Sequence, residues 1–259
     1  MSAAGPEPRP LGGWAKARLA ELCLAAMLLT RLPMGRMEAP PEMVRSLWAY
    51  PLAGVLAALP ALIVAGLAAP LGALPAALLA VGAGVLATGG LHEDGLADVA
   101  DGFGGGRDRL RKLEIMRDSR VGSYGVIALV LGLGLRVSLL AELPPGWGLW
   151  GAFIGLAALS RAMMPLGLWL LPPARSDGLG ASAGAGVRAG QVLGGLALAF
   201  ALALLTLPAP ISALIWILVV TCAILMISRR QIGGYTGDVL GTVQILTEIA
   251  GWAVLVAAC

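Results

Sequence analysis

Runs of apolar residues long enough to cross a bilayer recur along this chain and leave little room for any other architecture. They lie at 48–69, 74–91, 121–141, 147–171, 191–207, 211–227 and 239–258. A hydrocarbon core about 30 Å thick takes about 20 helical residues to cross, and inside it only helices or closed barrels satisfy their own backbone groups. Continuous apolarity over such lengths selects helices rather than alternating strands. The 259 residues are 58% hydrophobic and 13% charged, against about 25% charged for a soluble domain. The expectation is an all-α, polytopic transmembrane helical bundle of about seven spanning helices.

The polar remainder sets the organisation. Residues 1–13, with Pro6, Pro8 and Pro10, read as a disordered tail, and 14–259 as a single transmembrane catalytic domain. Residues 14–30 have helical character, but their uncharged part, 22–30, is too short to span, so this is an interfacial helix, ended by Arg31-Leu32-Pro33. Pro51 and Pro60 should kink the first span. Cys23, Cys222 and Cys259 have no CxxC spacing, which speaks against a zinc or disulfide framework, and no cleavable signal is expected. Connections at 71–73, 142–146 and 208–210 lack Lys and Arg. The others carry Arg31, Arg36 and Arg45; Arg107 to Arg120; Arg175 and Arg188; and Arg229 and Arg230. The positive-inside rule makes that basic side cytoplasmic.

One polar stretch stands out, His92-Glu93-Asp94-Gly95-Leu96-Ala97-Asp98-Val99-Ala100-Asp101-Gly102, with the only histidine of the chain. On a helix Asp94, Asp98 and Asp101 fall within roughly 60° of one another around the axis. Carboxylates so close repel unless a cation lies between them, which points to a hard divalent ion, Mg2+ first. His92 and Glu93 point elsewhere on the wheel, with His92 a candidate general base. Arg117 and Arg120, just before a span, are placed to clamp phosphate. Gly233-Gly234-Tyr235-Thr236-Gly237-Asp238 precedes the last span, where Asp238 can cap the helix and the glycine turn can cradle phosphate. Gln244, Glu248 and Arg161 are intramembrane polar groups that should face a cavity or a partner. Arg136, near the outer end, should snorkel toward Glu142 and water.

These residues resemble the cobalamin synthase family. The resemblance rests on His92 to Gly102, on Leu113-Glu114-Ile115-Met116-Arg117-Asp118-Ser119-Arg120-Val121-Gly122, and on Gly233 to Gly241. Weaker echoes are Thr30-Arg31-Leu32-Pro33, Leu159-Ser160-Arg161 and Asp177-Gly178-Leu179-Gly180, and Val99 stands where a threonine is expected. The similarity runs from about residue 22 to the end. It implies a magnesium-dependent transfer in which a hydroxyl of α-ribazole, or of its 5′-phosphate, attacks adenosylcobinamide-GDP and GMP leaves. It also implies Asp94, Asp98 and Asp101 as metal ligands, and Asp118, His92 and Glu93 as the catalytic set. Arg117, Arg120, Arg161, Tyr235 and Asp238 would bind substrate. Its setting would be the cell inner membrane, multi-pass in lipid, with the site at the cytoplasmic face, no nucleic acid partner and room for a homo-oligomer. Two other readings stay open. A CDP-alcohol phosphotransferase also spaces aspartates at a membrane helix, but carries Ala-Arg after its first Asp-Gly where this chain has Leu96-Ala97-Asp98. A cation-coupled transporter would place carboxylates near the midplane and show internal repeats.

Overall fold

The computed structural model describes residues 11–143 and 146–258. Its helices are α1 (Leu11–Leu29), α2 (Tyr50–Ala68), α3 (Ala73–Thr88), α4 (Leu91–Gly105), α5 (Arg109–Ile115), α6 (Ser123–Glu142), α7 (Trp147–Leu170), α8 (Leu179–Gly184), α9 (Ala189–Thr206), α10 (Pro210–Ile232) and α11 (Gly237–Ala257). Six helical stretches among the described residues are long and apolar enough to cross a membrane: Met43–Leu71, Ser123–Glu142, Gly148–Leu170, Ala189–Thr206, Pro210–Ile232 and Gly237–Ala257. α7 and α11 are mostly buried at the centre, their Phe153 and Trp252 rings meeting edge to face at 5.1 Å. α6, α9 and α10 turn leucines, valines and isoleucines outward, as a lipid-facing surface requires.

The expected second span differs. It is the 16-residue helix α3, and the axis then turns by 89° into the polar helix α4, so the pair makes a seventh crossing only as a broken one. The cause is local. Gly89 and Gly90 both adopt left-handed backbone, with φ of 67° and 71°, which only glycine enters freely. Leu91 therefore begins α4 instead of ending the span. Pro51 lies in the first turn of α2, where its missing N–H has no helical partner to lose, so Pro60 alone is internal to that helix. α7 carries an internal proline of its own, Pro165.

α1 starts at Leu11, so residues 11–13 are helical instead of part of a tail; the rest of the expected tail, 1–10, lies outside the described residues. α1 is not among the spanning stretches. It is tied to the start of the first span, where Trp48 Nε1 donates to Glu21 Oε2 at 2.6 Å and Arg18 Nη1 lies 3.0 Å from the same oxygen. The Arg31 amide donates to the Ala87 carbonyl, joining the end of α1 to the end of α3.

An ionic network crosses the core. Arg136 of α6 pairs with Glu93 of α4 at 2.7 Å and with Glu248 of α11 at 2.9 Å. Arg161 of α7 takes the other Glu248 oxygen at 2.6 Å, and Gln244 donates to that oxygen as well. Arg136 thus points inward to two carboxylates and does not snorkel to Glu142. Desolvated charges are tolerated only when paired and hydrogen-bonded, and removing one partner is far costlier than replacing the whole set. Arg136→Met should therefore lower stability by about 3–5 kcal/mol, read as an earlier thermal unfolding transition in detergent. Val130 lies on the same helix but on its exposed, lipid-facing side, so Val130→Leu should leave the transition in place.

Candidate active site

α4 is positioned by its neighbours on both sides. At Gly95 it passes so close to α11 that a Cβ would collide with the Asp238 backbone, and Thr242 Oγ1 donates to the Gly95 carbonyl at 3.1 Å. Beside this crossing lies a pocket of 290 Å³, formed where the end of α1, the starts of α2, α4 and α11, the C-terminal half of α7, the 175–178 loop and α8 meet. Asp94, His92, Tyr235 and Asp238 all line it. So do Arg175 and Asp177.

The other expected site residues fall into three places. Glu93 and Arg161 belong to the ionic network, and line a separate small cavity of 30 Å³ together with His92. Asp101 is buried, and its two oxygens accept from the amides of Gly122 at 2.7 Å and Gly125 at 2.9 Å, which caps the start of α6. Arg117 and Asp118 stand outside the pocket wall. Arg117 Nη2 donates to both Asp177 oxygens, at 2.5 and 2.7 Å. Arg120 folds back on Asp118 at 2.6 Å.

The three carboxylates of α4 consequently do not share one point. Among the described residues no three histidine, cysteine or acidic side chains are gathered closely enough to hold an ion together. Asp94 is exposed, Asp98 half-buried one turn further on, and Asp101 is turned to the α6 amides. Asp98 still lies in a strongly acidic surrounding: Asp238, Asp94 and Asp101 act on it as like charges, and Arg175 as the countercharge. Arg175 Nη2 donates to Asp238 Oδ2 at 3.2 Å.

One expectation is corrected at the last span. The cap of α11 is Thr236, whose Oγ1 accepts from the Val239 amide at 3.2 Å, while Asp238 sits in the first turn. Part of the glycine turn is already engaged. Tyr235 N donates to the Pro172 carbonyl, Ala174 N donates to the Tyr235 carbonyl, and a Cβ on Gly234 would strike Pro172 O. That small bridge fixes the loop carrying Arg175 against the loop carrying Asp238. Arg109 Nη2 donates to the Ala174 carbonyl at 2.9 Å, and Lys112 bonds Gln231, so the basic loops after α4, α7 and α10 meet at one end of the bundle.

Asp118 is held down to about 2, first by the Arg120 side chain and then by its amide. It stays ionised until the pH falls to that value, which makes it a poor proton acceptor for a hydroxyl. Arg175 and Asp177 are the residues the sequence reading passed over as pocket members. Their signal was a charged run, Arg175-Ser176-Asp177, directly after a span on the basic side.

Known proteins resemble this chain in sequence. The family model described as cobalamin-5-phosphate synthase matches residues 21–256. The chain belongs to that family. A Bradyrhizobium diazoefficiens protein named adenosylcobinamide-GDP ribazoletransferase is 46% identical, covering 89% of this chain and 91% of its own length. Proteins of the same name from Azorhizobium caulinodans and Mesorhizobium japonicum are 47% and 44% identical, covering 90% of this chain and 93% and 91% of their own lengths. No solved structure matches the chain. Family membership decides among the three readings that the sequence left open.

Replacing Asp101 tests its place. Asp101→Ala leaves two amides of α6 without an acceptor, one of them buried, and should lower stability by about 1–3 kcal/mol. Asp101→Asn keeps one acceptor oxygen and should lose less, as measured by thermal unfolding of the purified protein.

Proposed function

We propose that this chain is a multi-pass membrane transferase that joins α-ribazole, or its 5′-phosphate, to adenosylcobinamide-GDP with release of GMP. The observation that carries the reading is the convergence of three distant segments on one pocket: Asp94 from α4, Arg175 and Asp177 from the loop after α7, and Asp238 from α11. Carboxylates and a guanidinium beside a wall of leucines and a methionine suit a substrate pair with a diphosphate at one end and an aromatic base at the other.

In the reaction, a bond forms between the ribazole hydroxyl oxygen and the cobinamide-linked phosphorus. The diphosphate bond breaks, GMP departs with the bridging oxygen and its electron pair, and the hydroxyl proton passes to a carboxylate. Asp238 is placed for that proton, since it lines the pocket and is oriented by Arg175 and Thr236. Arg175 supplies positive charge beside the phosphates, and Arg117 fixes Asp177 at the rim.

The donor set fits magnesium. Asp94 and Asp98 are hard oxygen donors in a region with more carboxylates than cations, and this ion favours one or two carboxylates completed by phosphate and water. When bound there, magnesium would neutralise the diphosphate and the departing phosphate. Asp101 belongs to the arrangement through its hold on α6, which keeps α4 and α6 in register. The basic loops gathered at the same end support a site at the cytoplasmic face of the cell inner membrane.

Membranes containing the protein, given adenosylcobinamide-GDP, α-ribazole and magnesium, should release GMP. No GMP above that of empty membranes would overturn the assignment. Asp94→Asn should reduce kcat about hundredfold or more while the protein remains folded in the membrane. Chelation by EDTA should abolish turnover, and added magnesium should restore it.

A further inference from the structure

The 290 Å³ pocket shares a strip of wall with a second cavity. This is a groove of 720 Å³, lined by α5, by Arg117 and by residues 174–177. Arg175 and Asp177 line both spaces. Asp94 and Asp238 line the pocket alone, whereas Arg109 and Arg117 line the groove alone. In phosphoryl transfer the attacking and leaving oxygens stand roughly in line, on opposite sides of the phosphorus. With the phosphorus beside Arg175 and the hydroxyl presented from the side of Asp238, the leaving group departs on the side away from Asp238. That side is the groove.

Resting on the function proposed above, we infer that the groove is the subsite of the departing mononucleotide, GMP, whose phosphate is taken by Arg117 and Arg109. The chemistry of the lining agrees. Its volume lies within the range of small-molecule sites, about 300–1,000 Å³. GMP leaves as an anion that collects the electron pair of the broken bond, and guanidiniums pair with phosphate through charge-assisted hydrogen bonds. Arg109 donates from Nη2 to the Ala174 carbonyl and makes no ion pair among the described residues. Arg117 is held by Asp177, but both side chains are more than half exposed, at 52% and 64%, and an exposed pair contributes little. A phosphate therefore displaces Asp177 from Arg117 at small cost. Leu110, 73% exposed, offers an apolar ledge in the same groove for the flat face of guanine.

The test is product inhibition by GMP, with equilibrium dialysis of labelled GMP against the purified protein as a readout free of turnover. Arg117→Gln and Arg109→Gln should each raise the Ki and the Kd of GMP about tenfold, raise the KM for adenosylcobinamide-GDP and leave the KM for α-ribazole in place. Arg109 also holds the Ala174 carbonyl, so Arg117→Gln is the deciding variant, with thermal unfolding to show that each protein is folded. Asp177→Asn, which frees Arg117, should lower the Ki. Arg230→Gln removes an exposed charge that does not line the groove and should change none of these values. Inorganic phosphate should displace labelled GMP at least tenfold less well than GMP itself. Equal displacement would make the groove a site for any anion and overturn the nucleotide assignment. GMP binding indifferent to Arg117→Gln, or a rise in the KM for α-ribazole in its place, would overturn the subsite. Absence of GMP release from every substrate mixture would instead sink the assigned reaction, while the dialysis result still decides the subsite.

Discussion

Four charged side chains buried between helices hold the rest of this protein in register. Arg136 and Arg161 face Glu93 and Glu248, drawn from α6, α7, α4 and α11. Within lipid, apolar helices gain nothing from hiding hydrophobic surface from one another, so packing shape and polar bonds decide how they align. Leucine surfaces tolerate sliding, whereas a carboxylate shared by two guanidiniums does not. Moving α4 by one turn would strand Glu93 and leave Arg136 with a single partner.

That constraint explains how one short helix carries two chemistries. Successive residues on a helix lie about 100° apart, so Glu93 can turn inward to the network while Asp94 turns out to the pocket. Asp101, two turns later, binds the amides at the start of α6. The helix is thus anchored at both ends by groups other than the one that lines the pocket. Its close crossing with α11 at Gly95 brings Asp238 to the same opening. The bridge between Pro173 and Tyr235 does the equivalent for Arg175.

Hydropathy made the spans legible, because long apolar runs have one physical outcome in lipid, and the acidic motif announced itself by its spacing. What escaped was what depends on distance along the chain. Arg136 looked free to reach Glu142, its neighbour on the same helix, and nothing local shows that Glu93 and Glu248 come within 3 Å of it. Helical spacing placed Asp101 beside Asp94 and Asp98 but said nothing of the amides of Gly122 and Gly125, which occupy it. The bend at Gly89-Gly90 was hidden in the apolar run, and a glycine pair alone does not announce one: Gly194-Gly195 continues inside α9, whereas Gly89 and Gly90 take left-handed backbone.

The bend also changes the medium in which the site works. α3 has 16 residues, a rise of about 24 Å, short of the roughly 30 Å of hydrocarbon. The missing depth is closed by a helix rich in carboxylates, not by lipid-like side chains. The polar face of α4 thereby stands next to the end of an apolar helix, with Asp94 exposed one turn beyond the bend. A single opening then joins two surroundings: Asp94 and Asp177 stand exposed at its edge, while Leu29, Met164 and Leu168 are buried inside it.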